Sequence, residues 1–136
     1  MENNKIVSGF KINSIILVES CFSRINNVEF GENITRNFNI DVQLSINEQT
    51  ITVAEEVIVE HKFKDIEQVK IKVRMVGIFE VNGNPSVKNL EEFGKINGAA
   101  IIFPYIREHI TNLSLKAGIS PIFLPPADFT KLRNKD

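Results

Sequence analysis

The sequence predicts an α+β domain: a four-stranded antiparallel sheet with a long helix packed on one face and a short C-terminal helix. Three observations carry this. Residues 37–46 alternate strictly, with Phe38, Ile40, Val42, Leu44 and Ile46 set against Asn37, Asn39, Asp41, Gln43 and Ser45. The strand-like runs that follow are joined by connections too short for a parallel crossover. Helical spacing begins only after Pro85, and it ends in an apolar loop bounded by Pro121, Pro125 and Pro126.

The first strand, near Gly9 to Arg24, changes phase. Phe10 and Ile12 keep one parity, Ile15 and Leu17 the other, and a bulge near Asn13-Ser14 accounts for the slip. Residues 25–36 read as a polar connection. After the alternating strand, Asn47-Glu48-Gln49 turns the chain. The next run places Ile51, Val53, Val57, Val59 and Phe63 on one face, with Glu56, Glu60 and Lys62 on the other. Lys64 to Glu67 is a second turn. From Val69, odd positions Val69, Ile71, Val73, Met75, Phe79 and Val81 face inward, and Lys70, Lys72 and Arg74 face water. Val76 and Ile78 then make both faces apolar. Pairing Glu56 and Glu60 with Lys70 and Arg74 across the strands adds about 0.2–1 kcal/mol per pair.

Asn82-Gly83-Asn84-Pro85 closes the sheet region. Ser86 can cap a short helix running towards Asn97, with Leu90, Phe93 and Ile96 on its apolar side. Gly98 is a weak point, and Pro104 a kink or a fresh helix start. Ile106, Ile110, Leu113 and Ala117 recur at helical spacing until Gly118 stops the helix. A last short helix from about Ala127, capped by Asp128, presents Phe129 and Leu132.

At 136 residues the chain reads as a single domain. A net charge of −1 supplies no basic field for nucleic acid or an anionic membrane. The single cysteine, Cys21, excludes an intrachain disulfide. Ile15 to Val18 is too short for a secretory leader, and no run has the ~20 apolar residues of a membrane span. The expected location is the cytoplasm, with no membrane insertion.

No catalytic constellation is visible, and neither a cofactor nor a metal is expected. His61 falls at an apolar-phase strand position and reads as a partly buried strand residue rather than a general base. Arg107, Glu108 and His109 read as a surface or interface patch. One cysteine and two distant histidines make no metal set. An enzyme reading would rest only on His61 and His109. The apolar loop is the more informative feature. Ile119, Ile122, Phe123, Leu124 and Phe129 are interrupted by prolines that cannot donate ladder hydrogen bonds. The helix stripe reads mainly as core, yet with Ile58, Val76 and Ile78 on the second sheet face there is more apolar surface than one small core can use. A subunit interface, a polypeptide-binding surface, or both follow.

The segment Ile102-Phe103-Pro104-Tyr105-Ile106-Arg107-Glu108-His109-Ile110, followed by Gly118 and then by Pro121-Ile122-Phe123-Leu124-Pro125-Pro126-Ala127-Asp128-Phe129, resembles the signature of the SecB protein-export chaperones. Phe10, Ile12, Ile15, Glu19 and Phe22 follow that family's first-strand spacing, and Gly77-Ile78-Phe79 resembles the end of its fourth strand. The resemblance implies an ATP-independent holdase, without cofactor or catalysis, that assembles as a dimer of dimers and passes unfolded precursor polypeptides to the SecA ATPase. It implies client-binding surfaces at Ile15, Leu17, Ile40, Val42, Leu44, Ile122, Phe123, Leu124, Phe129 and Leu132. It further implies oligomer support from Ile71, Val73, Met75, Ile106 and Ile110, and a SecA contact at Glu19. Ser23 and Lys72 stand where the family places acids. With the short tail after Phe129, they motivate a second reading: a SecB-like chaperone dedicated to one partner, such as the antitoxin of a toxin–antitoxin pair.

Overall fold

The structure, a computed structural model, describes the backbone of residues 9–134 and the side chains of residues 9–131. Strands β1 (Phe10–Arg24), β2 (Ile34–Asn47), β3 (Thr50–Phe63) and β4 (Ile66–Val81) form one antiparallel sheet in the order β1-β4-β3-β2. The hairpins are tighter than the sequence suggests. Asn47 pairs with Thr50, and Phe63 with Ile66, which leaves two-residue loops. Lys64 and Asp65 have φ values of 52° and 64°, the left-handed pair that suits a hairpin's twist. On the outer face the expected cross-strand pairs form. Lys70 lies 3.8 Å from Glu60, and Arg74 lies 4.0 Å from Glu56. Such half-exposed pairs contribute little, about 0–1 kcal/mol each.

Strand β1 slips register twice against β4, between Ile12 and Ser14 as expected and again between Leu17 and Glu19. The second bulge restores the first parity, so Phe22 returns to the inner face opposite Ile71.

The helical region is one continuous rod rather than two helices. Helix α1 (Val87–Glu92) runs through a π-helical turn (Phe93–Gly98) into α2 (Ala99–Lys116). Ser86 caps its start by accepting from Asn89 N–H at 3.1 Å. Gly98 does not break the rod, because glycine here serves close approach. A Cβ there would lie 3.0 Å from Val53 Cγ2, and one at Gly94 would lie 2.7 Å from Leu44 Cδ2. Pro104 sits inside α2 without ending it. A proline inside a helix loses a ladder bond and crowds the preceding turn, together costing about 3 kcal/mol. Burial of Ile102, Phe103, Ile106 and Ile110 on the same helix outweighs it.

The core lies between the rod and the inner sheet face. At the hairpin end of β2 and β3 it is sealed by three rings: Phe10 and Phe93 at 4.8 Å, Phe79 and Phe93 at 5.7 Å. Further along the same face Ile71, Val73, Ile106 and Ile110 are fully buried and Met75 nearly so. These five residues were expected to support an oligomer interface. All five lie in the core of the lone subunit. The last element is a 3-10 helix (Phe129–Asn134), with Asp128 Oδ1 accepting from Thr130 N–H at 3.1 Å.

Candidate functional site

The rod crosses the sheet on a diagonal. Its π turn sits on β2 and β3, where Gly94 meets Leu44 and Ile51. Its C-terminal half has moved over to β1. His109 Nε2 is 2.8 Å from Ser20 Oγ, and Arg24 donates to the Ala117 carbonyl. The diagonal leaves β2 and the end of β3 uncovered, and the chain after Gly118 folds back into that gap.

Two helix side chains fasten the returning loop. Thr111 Oγ1 donates to the Ile122 carbonyl at 2.7 Å, and Ser114 Oγ accepts from Ile122 N–H at 3.0 Å. Ser114 is fully buried and also donates to the Thr111 carbonyl. Both main-chain groups of Ile122 are thereby satisfied without regular structure, which a proline-bound segment requires. Ile122 and Leu124 turn into the core, while Phe123 between them is 73% exposed. Phe129 packs on Phe103 at 5.6 Å and holds the far end of the loop.

A cleft of about 460 Å³ remains between the loop and β2. Val59, Phe38, Ile122 and Leu124 line it, with Phe123, Pro121 and Pro125 on the loop side. Phe30 stands at one end. It is positioned by Gln68, a buried β4 side chain that accepts from Glu29 N–H at 2.6 Å and donates to the Glu29 carbonyl at 2.9 Å. Sequence reasoning left Gln68, Thr111 and Ser114 unmarked. Gln68 is one position before Val69 and breaks the strand parity, and the two hydroxyls look like ordinary helix surface.

The expected client-binding residues divide into groups. Phe123, Ile122 and Leu124 line the cleft. Ile40, Val42 and Leu44 are half-buried on the inner face and continue β2 beyond Phe38. Phe129 is buried and acts as a brace. Ile15 and Leu17 are on β1, at the opposite edge of the sheet, so one subunit does not bring them to this cleft. The Leu132 side chain lies outside the described residues. Glu19 is on the outer face, 3.6 Å from Lys72.

Two polar groups depart from this apolar picture. His61, opposite Arg36 in the β2–β3 register, lines the cleft and is only 5% exposed. Its Nδ1 is closed off without a partner, and burial together with the nearby Arg36 lowers its pKa, so the imidazole is held neutral. Glu55 is fully buried among the apolar residues of β3, opposite Val42 and Met75, and neither carboxyl oxygen has a partner. Burial pushes its pKa from 4.5 up to about 8. The signal for Glu55 was its inward parity between Val53 and Val57. Among the described residues, no group of three His, Cys, Asp or Glu side chains could hold a metal ion. Cys21 is exposed on the outer face, its thiol 3.7 Å from Glu19 Oε2.

The SecB family, described as preprotein translocase subunit SecB, matches residues 4–136. This chain belongs to the SecB family. An uncharacterized protein of Methanocaldococcus jannaschii is 33% identical over 72% of the chain and 65% of its own length. The SecB protein-export protein of an Acidovorax species is 30% identical over 66% of the chain and 63% of its own length. The chain thus spans a little under two thirds of these relatives. A second SecB of Francisella tularensis subsp. novicida matches more broadly, 28% identical over 95% of the chain and 90% of its own length. Among solved structures, the SecB-like chaperone Rv1957 of Mycobacterium tuberculosis, in complex with a ChAD peptide from the HigA1 antitoxin, superposes with a TM-score of 0.76. It covers 88% of this chain and 91% of its own, at 14% identity, and so shares the SecB fold. No helix among the described residues is long and apolar enough to cross a membrane.

Proposed function

We propose that the protein is an ATP-independent chaperone that holds unfolded polypeptides against the cleft beside its proline-bound loop. The observation that carries this reading is Phe123, projected into solvent from a loop whose neighbours Ile122 and Leu124 are anchored in the core. A large ring held outward on a fixed backbone, above an apolar floor, is a docking point that loses little entropy on binding. Contacts of this kind tolerate varied sequence, since burial of apolar surface yields about 25 cal/mol per Å² whatever side chain supplies it. A protein that binds only the unfolded state keeps that state populated.

The same reading includes self-assembly. Tyr105 and Leu115 are exposed on α2, and Ile16, Leu17 and Val18 on edge strand β1. An exposed apolar edge strand calls for a cover. We assign that role to further copies of the chain, consistent with a dimer of dimers. Hand-off of precursors to SecA would use the outer face around Glu19, where Lys72 now neutralises the acid.

Light scattering of an aggregating unfolded client tests the holdase. Near-stoichiometric protein should suppress aggregation without nucleotide, and no suppression would end the proposal. A second reading, a chaperone dedicated to one antitoxin-like partner, is favoured by the peptide-bound structural relative and by Ser23 and Lys72 on the outer face. Purification from the source cell separates the two. One stoichiometric companion supports the dedicated role, and many precursors support the general one.

A further inference from the structure

Arg36 and His61 form a polar pair inside a largely apolar cleft, and we infer that they make a carboxylate subsite for an acidic side chain carried within an apolar client segment. This rests on the chaperone reading and adds a chemical preference to it. The two residues face each other across β2 and β3, and both line the cleft. Arg36 donates only to the Gly31 carbonyl, at 3.2 Å, and no acid lies within ion-pair distance of it among the described residues. The imidazole of His61 makes no described hydrogen bond, although it is almost completely buried. Its Nδ1 is sealed from the cleft, which leaves Nε2 as the ring nitrogen a ligand can meet. The exposed guanidinium of Arg36, with no acid beside it, selects the sign of a partner there. A carboxylate in the cleft can take an ion pair from Arg36 and the N–H of Nε2 from the neutral ring.

An internal residue fits the site better than a chain end. Phe38 and Val59 floor the cleft on one side of the pair. Beyond Phe30 and Ser120, which line both clefts, a second cleft opens along Asn26 to Glu29 and Gly118. A bound segment can therefore run past the pair in both directions.

Fluorescence anisotropy with two labelled, C-terminally amidated peptides tests this. They share one Leu/Phe-rich sequence and carry Glu or Gln at the centre. The Glu peptide should bind on the order of tenfold tighter. Arg36→Gln, an exposed position, should bring the two affinities together. In NMR spectra of the full chain, the Glu peptide should shift the His61 ring resonances more than the Gln peptide does. Equal affinities, or a Glu preference that survives Arg36→Gln, would overturn the subsite while leaving the holdase standing. A preference that appears only when the peptide has a free C-terminal carboxylate would overturn it too. If neither peptide binds, the chaperone reading and the subsite fall together.

Discussion

The two ends of the inner sheet face are built from similar residues and finished differently. At the hairpin end of β2 and β3, Phe10, Phe79 and Phe93 close on one another and the glycines of the π turn let the rod settle on the strands. At the other end the rod has moved away, and a loop with three prolines covers the strands incompletely. The first end is sealed by regular structure. At the second, two hydroxyls and a few anchored side chains do the work, and a large ring stays in water. Apolar character alone therefore does not separate core from binding surface in this chain. The direction of the rod does.

The sharpest way to break this comparison is a charge placed on either of two adjacent loop residues. Leu124→Asp puts a carboxylate in the core and should unfold the protein, at a cost of about 4 kcal/mol or more. Phe123→Asp changes an exposed ring and should leave the melting curve within about 0.5 kcal/mol of the parent while client capture is lost. Circular dichroism and an aggregation assay on both variants check this. Equal unfolding would show that the loop is core throughout.

The next effect belongs to the sealed body of the sheet. The Glu55 carboxyl has a pKa of about 8 in the fold, against an ordinary value of 4.5. Between those values the unfolded chain has released a proton that the native state keeps, so stability should fall as pH rises, by roughly 3–6 kcal/mol, and level off above the upper value. Denaturant melts at successive pH values measure the slope, and Glu55→Gln should flatten it. The smallest effect concerns the open end. Ser114→Ala leaves Ile122 N–H unpaired and should cost about 1–3 kcal/mol. Amide exchange should rise in residues 119–125 and stay unchanged around Phe79. Uniform loosening would mean that the two ends are not distinct.

Much of the architecture was legible in the sequence because alternation survives in β2, β3 and β4, and because the turns fall where polar residues cluster. The second bulge in β1 was hidden inside the apolar run Ile15 to Val18, where parity cannot be read. Gly98 and Pro104 suggested a broken helix. Burial of Ile102 and Ile106 decided otherwise, and that depends on contacts distant in the chain. The loop itself was recognisable from its prolines and apolar residues. Which of its side chains turn inward was not, because Ser114 and Thr111 set its rotation and show no periodic signal. Glu55 is legible as a charge at an apolar parity.

Since Ile122 is bound through both main-chain groups to α2, the aperture of the cleft is geared to the last turns of that rod. Pressure on the solvent side of Leu115 would travel through those hydroxyls to the lip that carries Phe123. A neighbour docking there would thus tune the grip without touching the cargo.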